Sequence, residues 1–200
     1  MTDISYFEQL YADSDDPWQL AEKHYEHRKY DLTLAALPRP RYGRAFEPGC
    51  SIGVLTRLLA GRCDELVATD PVDRALDRAR STVDAPHVTF GRGRVPDDWP
   101  EGSFDLIVLS ELLYFLSAPD RLDVVERATE SLAPDGHLVL VHWRWPFEAA
   151  TCTGDEAHAD VRAHARATRV VEHVEDDFRL EVLAARSPQN PHDPPMKEAP

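Results

Sequence analysis

A chain of 200 residues with 42% hydrophobic content has the length of one domain and enough apolar side chains for a full core, which excludes a disordered chain. Asp and Glu number 36 against 22 Lys and Arg, a formal net charge of −14 at pH 7, and so acidic a surface disfavours phosphate backbones and anionic membranes. Three cysteines without a Cys-x-x-Cys pair argue against a disulfide framework or cysteine zinc site, and no apolar run approaches the ~20 residues of a membrane span.

The first eighteen residues lack the basic and apolar segments of a signal peptide, so the expected setting is cytoplasmic. Asp16-Pro17 suits a helix start: the carboxylate can accept from free first-turn amides and proline fits the first helical position. The spacing then predicts a helix over 17–37, with Leu20, His24, Tyr25, Arg28 and Leu32 along one side, ending before Pro38-Arg39-Pro40. Residues 44–47 read as a strand entering the Pro48-Gly49 turn, and residues 53–59 as a helix. The unit repeats with a strand at 65–70 that ends on a carboxylate, a helix at 71–80, and a short strand at 87–90 before a glycine-rich loop. Residues 104–109 are almost wholly apolar, as a strand covered on both faces must be. A helix at 121–132 stops at Pro134-Asp-Gly136, and 137–142 is the fifth strand.

Residues 155–167 read as a helix, and strands at 168–174 and 178–183 flank the acidic turn Glu175-Asp-Asp177, a connection short enough to imply an antiparallel hairpin. The expected fold is α/β: one domain over 1–187 built on a mostly parallel sheet with right-handed crossovers, closed by the hairpin. Residues 188–200 are proline-rich and are expected to be a disordered tail.

In an open α/β sheet, ligands lie beyond the carboxyl ends of the strands, near the reversal of strand order. The loop there is Glu47-Pro-Gly-Cys-Ser-Ile-Gly53. Gly49 allows a turn where a side chain would clash, and Gly53 lets the next helix pack closely with its free N–H groups toward a ligand. Taken alone, the loop fits a plain strand–turn–helix junction equally well. Asp70, seventeen residues on, can accept both hydroxyls of a ribose, or can simply cap the helix that follows. Loop and carboxylate together favour a nucleoside.

Glu47-x-Gly49-x-Ser51-x-Gly53, Asp70, the run from Phe104 to Glu111, and Leu132-x-Pro134-x-Gly136 resemble the successive motifs of class I S-adenosylmethionine (SAM)-dependent methyltransferases. The closing hairpin is similar to that family's antiparallel seventh strand, which implies a Rossmann-like seven-stranded sheet. More narrowly, Asp16-Pro-Trp18, Tyr25-Glu-x-Arg28-Lys-Tyr30, the stretch from Phe46 to Thr56, Asp98-Trp-Pro100, Ser110-Glu-Leu-Leu-Tyr114 and Val141-His-Trp143 resemble the NodS-like N-methyltransferases. The best-known members of that family methylate the amino sugar of a lipochitooligosaccharide.

The resemblance implies SAM as cofactor, with Glu47, Gly49, Ser51 and Gly53 cradling its methionine and ribose parts and Thr56 contacting the carboxylate. It implies that Asp70 holds the ribose hydroxyls, Pro71 flanks the adenine, and Ser110 and Glu111 stand beside the transferred methyl. The loop Gly91-Arg-Gly-Arg-Val95 lacks the family's acidic partner for the adenine amine, leaving backbone groups of Arg94 and Val95. Arg28 is expected to pair with the methionine carboxylate, and Trp18 to stack near the sulfonium.

Methyl transfer from a sulfonium is an in-line displacement, so alignment and water exclusion are the main tasks. An amine acceptor must be unprotonated to attack, which makes His142 the candidate base and Glu111 the candidate orienting carboxylate; each also fits a plain polar strand end or helix start. Tyr114 and His158 are candidate acceptor contacts, with core packing and an exposed helical histidine as the plainer readings. No His–carboxylate spacing suggests a metal. The expected activity is methylation of a small-molecule acceptor, an amine of an amino sugar or related metabolite, by a monomer or weak homodimer that engages neither nucleic acid nor membrane. O-methylation, or SAM binding without catalysis, are the alternatives; a dinucleotide oxidoreductase fits less well because the first loop is not a full Gly-x-Gly-x-x-Gly.

Overall fold

The structure is a computed structural model and describes residues 2–185. Alternating elements follow in chain order: α1 (Ile4–Asp13), α2 (His24–Ala36), β1 (Tyr42–Pro48), α3 (Val54–Ala60), β2 (Cys63–Asp70), α4 (Asp73–Thr82), β3 (Val88–Arg92) and β4 (Phe104–Ser110). A 3-10 turn (Leu113–Phe115) leads to α5 (Ala118–Ser131), β5 (Leu132–Trp143), α6 (Gly154–His164), β6 (Ala167–Val174) and β7 (Phe178–Ala185). Among the described residues the seven strands form one sheet in the order β3-β2-β1-β4-β5-β7-β6. β1 to β5 are parallel, whereas β7 runs antiparallel to both β5 and β6.

Side chains alternate across a strand, and here that period sorts the core into two layers. On one face Leu106 and Val108 of β4 join Val139 and Val141 of β5, with Leu55 and Leu59 of α3 and Tyr30 of α2. On the other, Ile107 and Leu109 join Leu138 and Leu140 against Val124 and Val125 of α5 and Val161 of α6. Both faces are covered, so β4 carries hydrophobic residues at successive positions, as its sequence suggests.

Helix starts follow the local chemistry. Ser117 accepts from the Asp120 N–H at the head of α5, and Thr153 with Glu156 forms a reciprocal capping box on α6. Two differences from the sequence expectation concern the N-terminus. The helix expected over 17–37 begins only at His24, because the Asp16 carboxylate accepts from the Leu20 and Ala21 N–H groups and closes a turn, and Gln19 sits at φ 60°. Helix α1 was not anticipated; Asp3 caps it, accepting from the Ser5 N–H, and Ile4, Phe7 and Tyr11 recur along it at helical spacing. β5 starts at Leu132 rather than 137, since Leu132 already pairs with Phe104. The proline-rich segment 188–200 lies outside the described residues.

Candidate active site

Strand order reverses between β1 and β4, and the carboxyl ends of those strands open into a cavity of about 670 Å³ roofed by α1 and α2. Helix α1 is fastened across it. The Thr2 N–H donates to the Phe115 carbonyl (2.8 Å), Phe7 packs edge-on against Phe115, and the Tyr11 hydroxyl lies 2.5 Å from Ser51 Oγ.

At the β1–β2 end, Gly49 (φ +73°) and Cys50 both donate their N–H groups to the Thr69 carbonyl, folding the loop back over β2. Ser51 continues the bend at φ +52° and donates its N–H to Asp70 Oδ2 at 3.0 Å, while the Val72 N–H donates to Oδ1 at 2.9 Å. Asp70 thus holds the loop and caps the approach to α4 at once. Burial raises its carboxyl to about 6, against the two N–H bonds. Burial also raises Glu47 to about 8, the neighbouring Thr56 hydroxyl opposing and the Asp70 charge adding to the rise. Glu47 Oε2 is buried at the cavity wall without a hydrogen-bond partner.

Glu47, Gly49, Ser51, Asp70 and Pro71 line the cavity, as do Trp18, Arg94, Val95 and Ser110. Arg94 is pinned by Asp98, whose side chain accepts its N–H and whose own N–H donates to its carbonyl. Trp18 stands edge-on to Tyr11 with ring centroids 5.6 Å apart. Gly53 and Thr56 stand behind the loop instead. At φ +80°, Gly53 would place a Cβ 3.0 Å from that of Ala79, so its glycine serves packing of the loop on α4. Thr56 is wholly buried beneath Glu47, outside the cavity wall. Arg28 is a correction: it projects from the outer face of α2 and makes a two-pronged ion pair with Glu175 in the β6–β7 turn, away from the cavity.

At the β4 end, Glu111 adopts φ +51°, a strained backbone for a non-glycine residue of the kind concentrated at functional sites. Its carboxylate accounts for the conformation. Oε1 takes the Lys29 ammonium at 2.5 Å, and Oε2 accepts from the Tyr114 hydroxyl and from the Trp143 N–H. Lys29, 2% exposed, also pairs with Glu26 at 2.9 Å. Burial lowers the Lys29 pKa, but the Glu111 and Glu26 charges outweigh it, so the ammonium is held more firmly than usual. Burial and the Glu111 charge push Tyr114 well up, keeping its hydroxyl a donor. Tyr11, Tyr25, Glu26, Lys29 and Tyr30 therefore belong to the cavity wall though sequence reasoning gave them no role in it. The available signals were the Ile4/Phe7/Tyr11 spacing and a Glu26–Lys29 pair set between two tyrosines.

His142 and His158 are further corrections. Both are 0% exposed, neither lines the cavity, and they form a sealed chain. The Leu113 N–H donates to His142 Nε2 at 3.1 Å, so that nitrogen carries no proton. The proton on His142 Nδ1 then points to His158 Nε2 (3.0 Å), and the one on His158 Nδ1 to Glu181 Oε2 (2.8 Å). Burial lowers both imidazoles, that of His142 well below the ordinary range. His142 has no free lone pair for a substrate proton; its work is to fix the 3-10 turn carrying Tyr114. Burial tends to raise Glu181, but bonds from His158 and Arg169 and the Arg162 charge hold it at about 2.

The nodulation protein S family model matches residues 7–154. A nodulation protein S of Rhizobium tropici is 35% identical over 130 residues, 64% of this chain and 55% of that protein. That of Sinorhizobium fredii is 30% identical over 145 residues, 70% and 67% respectively, so this chain spans between about half and two thirds of the length of these relatives. Among solved structures, the NodS N-methyltransferase of Bradyrhizobium japonicum in complex with S-adenosyl-L-homocysteine (SAH) is similar with a TM-score of 0.80 at 25% identity, over 92% of this chain and 98% of that one. A candidate methyltransferase from Pseudomonas syringae is 42% identical with a TM-score of 0.72, over 81% and 99%. No helix among the described residues is long and apolar enough to cross a membrane.

Proposed function

The chain belongs to the NodS family, and on that premise we propose that it is a SAM-dependent methyltransferase acting on the nitrogen of a small amine, such as an amino sugar or related metabolite. The observation that carries this reading is the single cavity running from the Gly49–Asp70 end to the Glu111–Tyr114 end. Its ~670 Å³ lies within the ~300–1,000 Å³ of small-molecule sites, room for a nucleoside cofactor and a small acceptor.

The residues present fit SAM. Gly49 turns at φ +73° with a notional Cβ already 3.4 Å from Leu112, so a side chain there would crowd the cofactor's path. Both Asp70 oxygens are fixed by backbone N–H groups, leaving further lone pairs for ribose hydroxyls. The unpaired Glu47 Oε2 offers an acceptor to the cofactor's amino group or ribose. Pro71, Arg94 and Val95 would flank the adenine, and Trp18 and Ser110 the sulfur.

Bound there, SAM would supply an electrophilic methyl group on a cationic sulfur to the lone pair of an unprotonated acceptor. The chain's part is to orient and to dry the site. Glu111, locked by Lys29, Tyr114 and the Trp143 N–H, presents a fixed carboxylate beside the acceptor space. Helix α1 covers one side of it, with Ile4, Phe7 and Tyr11 against the cavity. Incubation with methyl-labelled SAM and a panel of amino sugars, followed by NMR of the product, should place the label in an N–CH3 group for the native protein and nowhere for Gly49→Arg. Equal background from both proteins, or an O–CH3 product, would contradict the reading.

A further inference from the structure

We propose that Tyr25, Glu26, Lys29 and Glu111 form an acceptor subsite that selects a cationic nitrogen through a single uncompensated negative charge. The inference deepens the reading above and rests on it.

Two carboxylates share one ammonium: Lys29 Nζ lies 2.5 Å from Glu111 Oε1 and 2.9 Å from Glu26 Oε2, and by formal charge one negative unit is left over. The surplus faces a cavity walled here by aromatic rings. The Lys29 ammonium sits 5.0 Å from the Tyr25 ring centroid, and Tyr25 stands edge-on to Trp143 at 6.0 Å. In such surroundings an unmatched charge is costly, and a cation entering the cavity removes the cost.

Two further polar groups belong to the same wall. Glu26 is 8% exposed and lines the cavity, its Oε2 already engaged by the Lys29 ammonium at 2.9 Å. The Tyr25 hydroxyl is buried without a partner. The N–H groups of an entering amine would find acceptors in the Tyr25 hydroxyl and the cluster's carboxylates, with the tyrosine and tryptophan rings favouring positive charge on the nitrogen. The other cations lining the cavity, Lys23 and Arg94, are exposed residues, and the exposed Asp177 adds a further negative charge.

The subsite accounts for nitrogen over oxygen. An amine that arrives as its ammonium cedes one proton to a carboxylate of the cluster before its lone pair can attack, and methyl transfer then returns a positive charge to that nitrogen, whereas a hydroxyl acceptor ends as a neutral ether and leaves the surplus charge unmatched.

The test uses the SAH-loaded protein, titrated with benzylammonium and with benzyl alcohol, a neutral compound of the same shape. The native protein should bind the ammonium at least about ten-fold more tightly. Glu26→Gln removes the surplus and should erase the preference, while Lys29→Met increases it and should strengthen the preference. Opposite signs separate charge recognition from packing damage, which would weaken both ligands in both variants. Equal binding of the two probes by native protein, or the same change in both variants, would overturn the proposal. Failure to bind SAH at all would instead overturn the methyltransferase reading.

Discussion

Two buried polar assemblies meet at the turn Leu113–Phe115, and they differ in a way that separates chemistry from architecture. In the chain Leu113–His142–His158–Glu181 every proton and lone pair between the turn and β7 has a partner, and all three side chains are sealed. In the cluster of Glu26, Lys29, Glu111 and Tyr114 charges do not balance, two carboxylates sharing one ammonium, and the residues line a cavity. A satisfied network specifies a conformation; an unsatisfied one facing open space is prepared for a ligand. The sealed chain holds from behind the turn that the open cluster uses from the front.

Substitutions can break that division. The largest effect on binding should come from Asp70→Ala, which frees two backbone N–H groups and removes the ribose acceptor. SAH affinity, read by calorimetry, should fall about 100-fold, equivalent to ~2.7 kcal/mol. Glu181→Ala should act on stability instead. It strips the acceptor from His158, Arg162 and Arg169 and should cost about 3 kcal/mol in denaturant unfolding, with SAH affinity within about two-fold of native. A loss of affinity matching that of Asp70→Ala would mean the sealed chain is not separable from the cofactor end of the cavity.

Acidity sharpens the contrast, because the shifts have opposite signs. Glu181 sits at about 2 in the fold against an ordinary 4.5, so its stabilisation is present above pH 4.5 and lost as pH falls toward 2. His142 and His158, depressed below 6.5, add stability above pH 6.5 that is lost on further acidification. Glu47, raised to about 8, does the reverse: its contribution is full below pH 4.5 and lost as pH rises through 8. Ligand-free Glu47→Gln should therefore lose less stability than native protein between pH 5 and 8, and behave alike below pH 4. The smallest effect belongs to Arg28→Ala, which breaks an exposed pair with Glu175 and should leave SAH affinity within about two-fold.

The sheet and its loops were legible because their signals are local. Glycines at a turn, a carboxylate at a strand end and an apolar run each report their own surroundings, and Glu47, Gly49, Ser51 and Asp70 duly stand together. His142 and His158 were misread because sixteen residues separate two rings whose meaning is their mutual bond across α6 and β5. A strand-end histidine looks the same whether it faces a cavity or a buried partner. Arg28 failed for a similar reason: its partner lies 147 positions away. Lys29 was passed over because a helical Glu–Lys pair is ordinarily a solvated surface feature, and only packing of α2 over β4 buries it against Glu111.

The account turns on whether the space between Glu47 and Asp70 holds an adenosyl group with its sulfur toward Glu111. A crystal structure of the SAH-saturated protein measures this directly. The account predicts one SAH per chain, ribose hydroxyls on Asp70 and sulfur facing the Glu111–Tyr114 wall; SAH lodged elsewhere, or an empty cavity at saturating concentration, would contradict it.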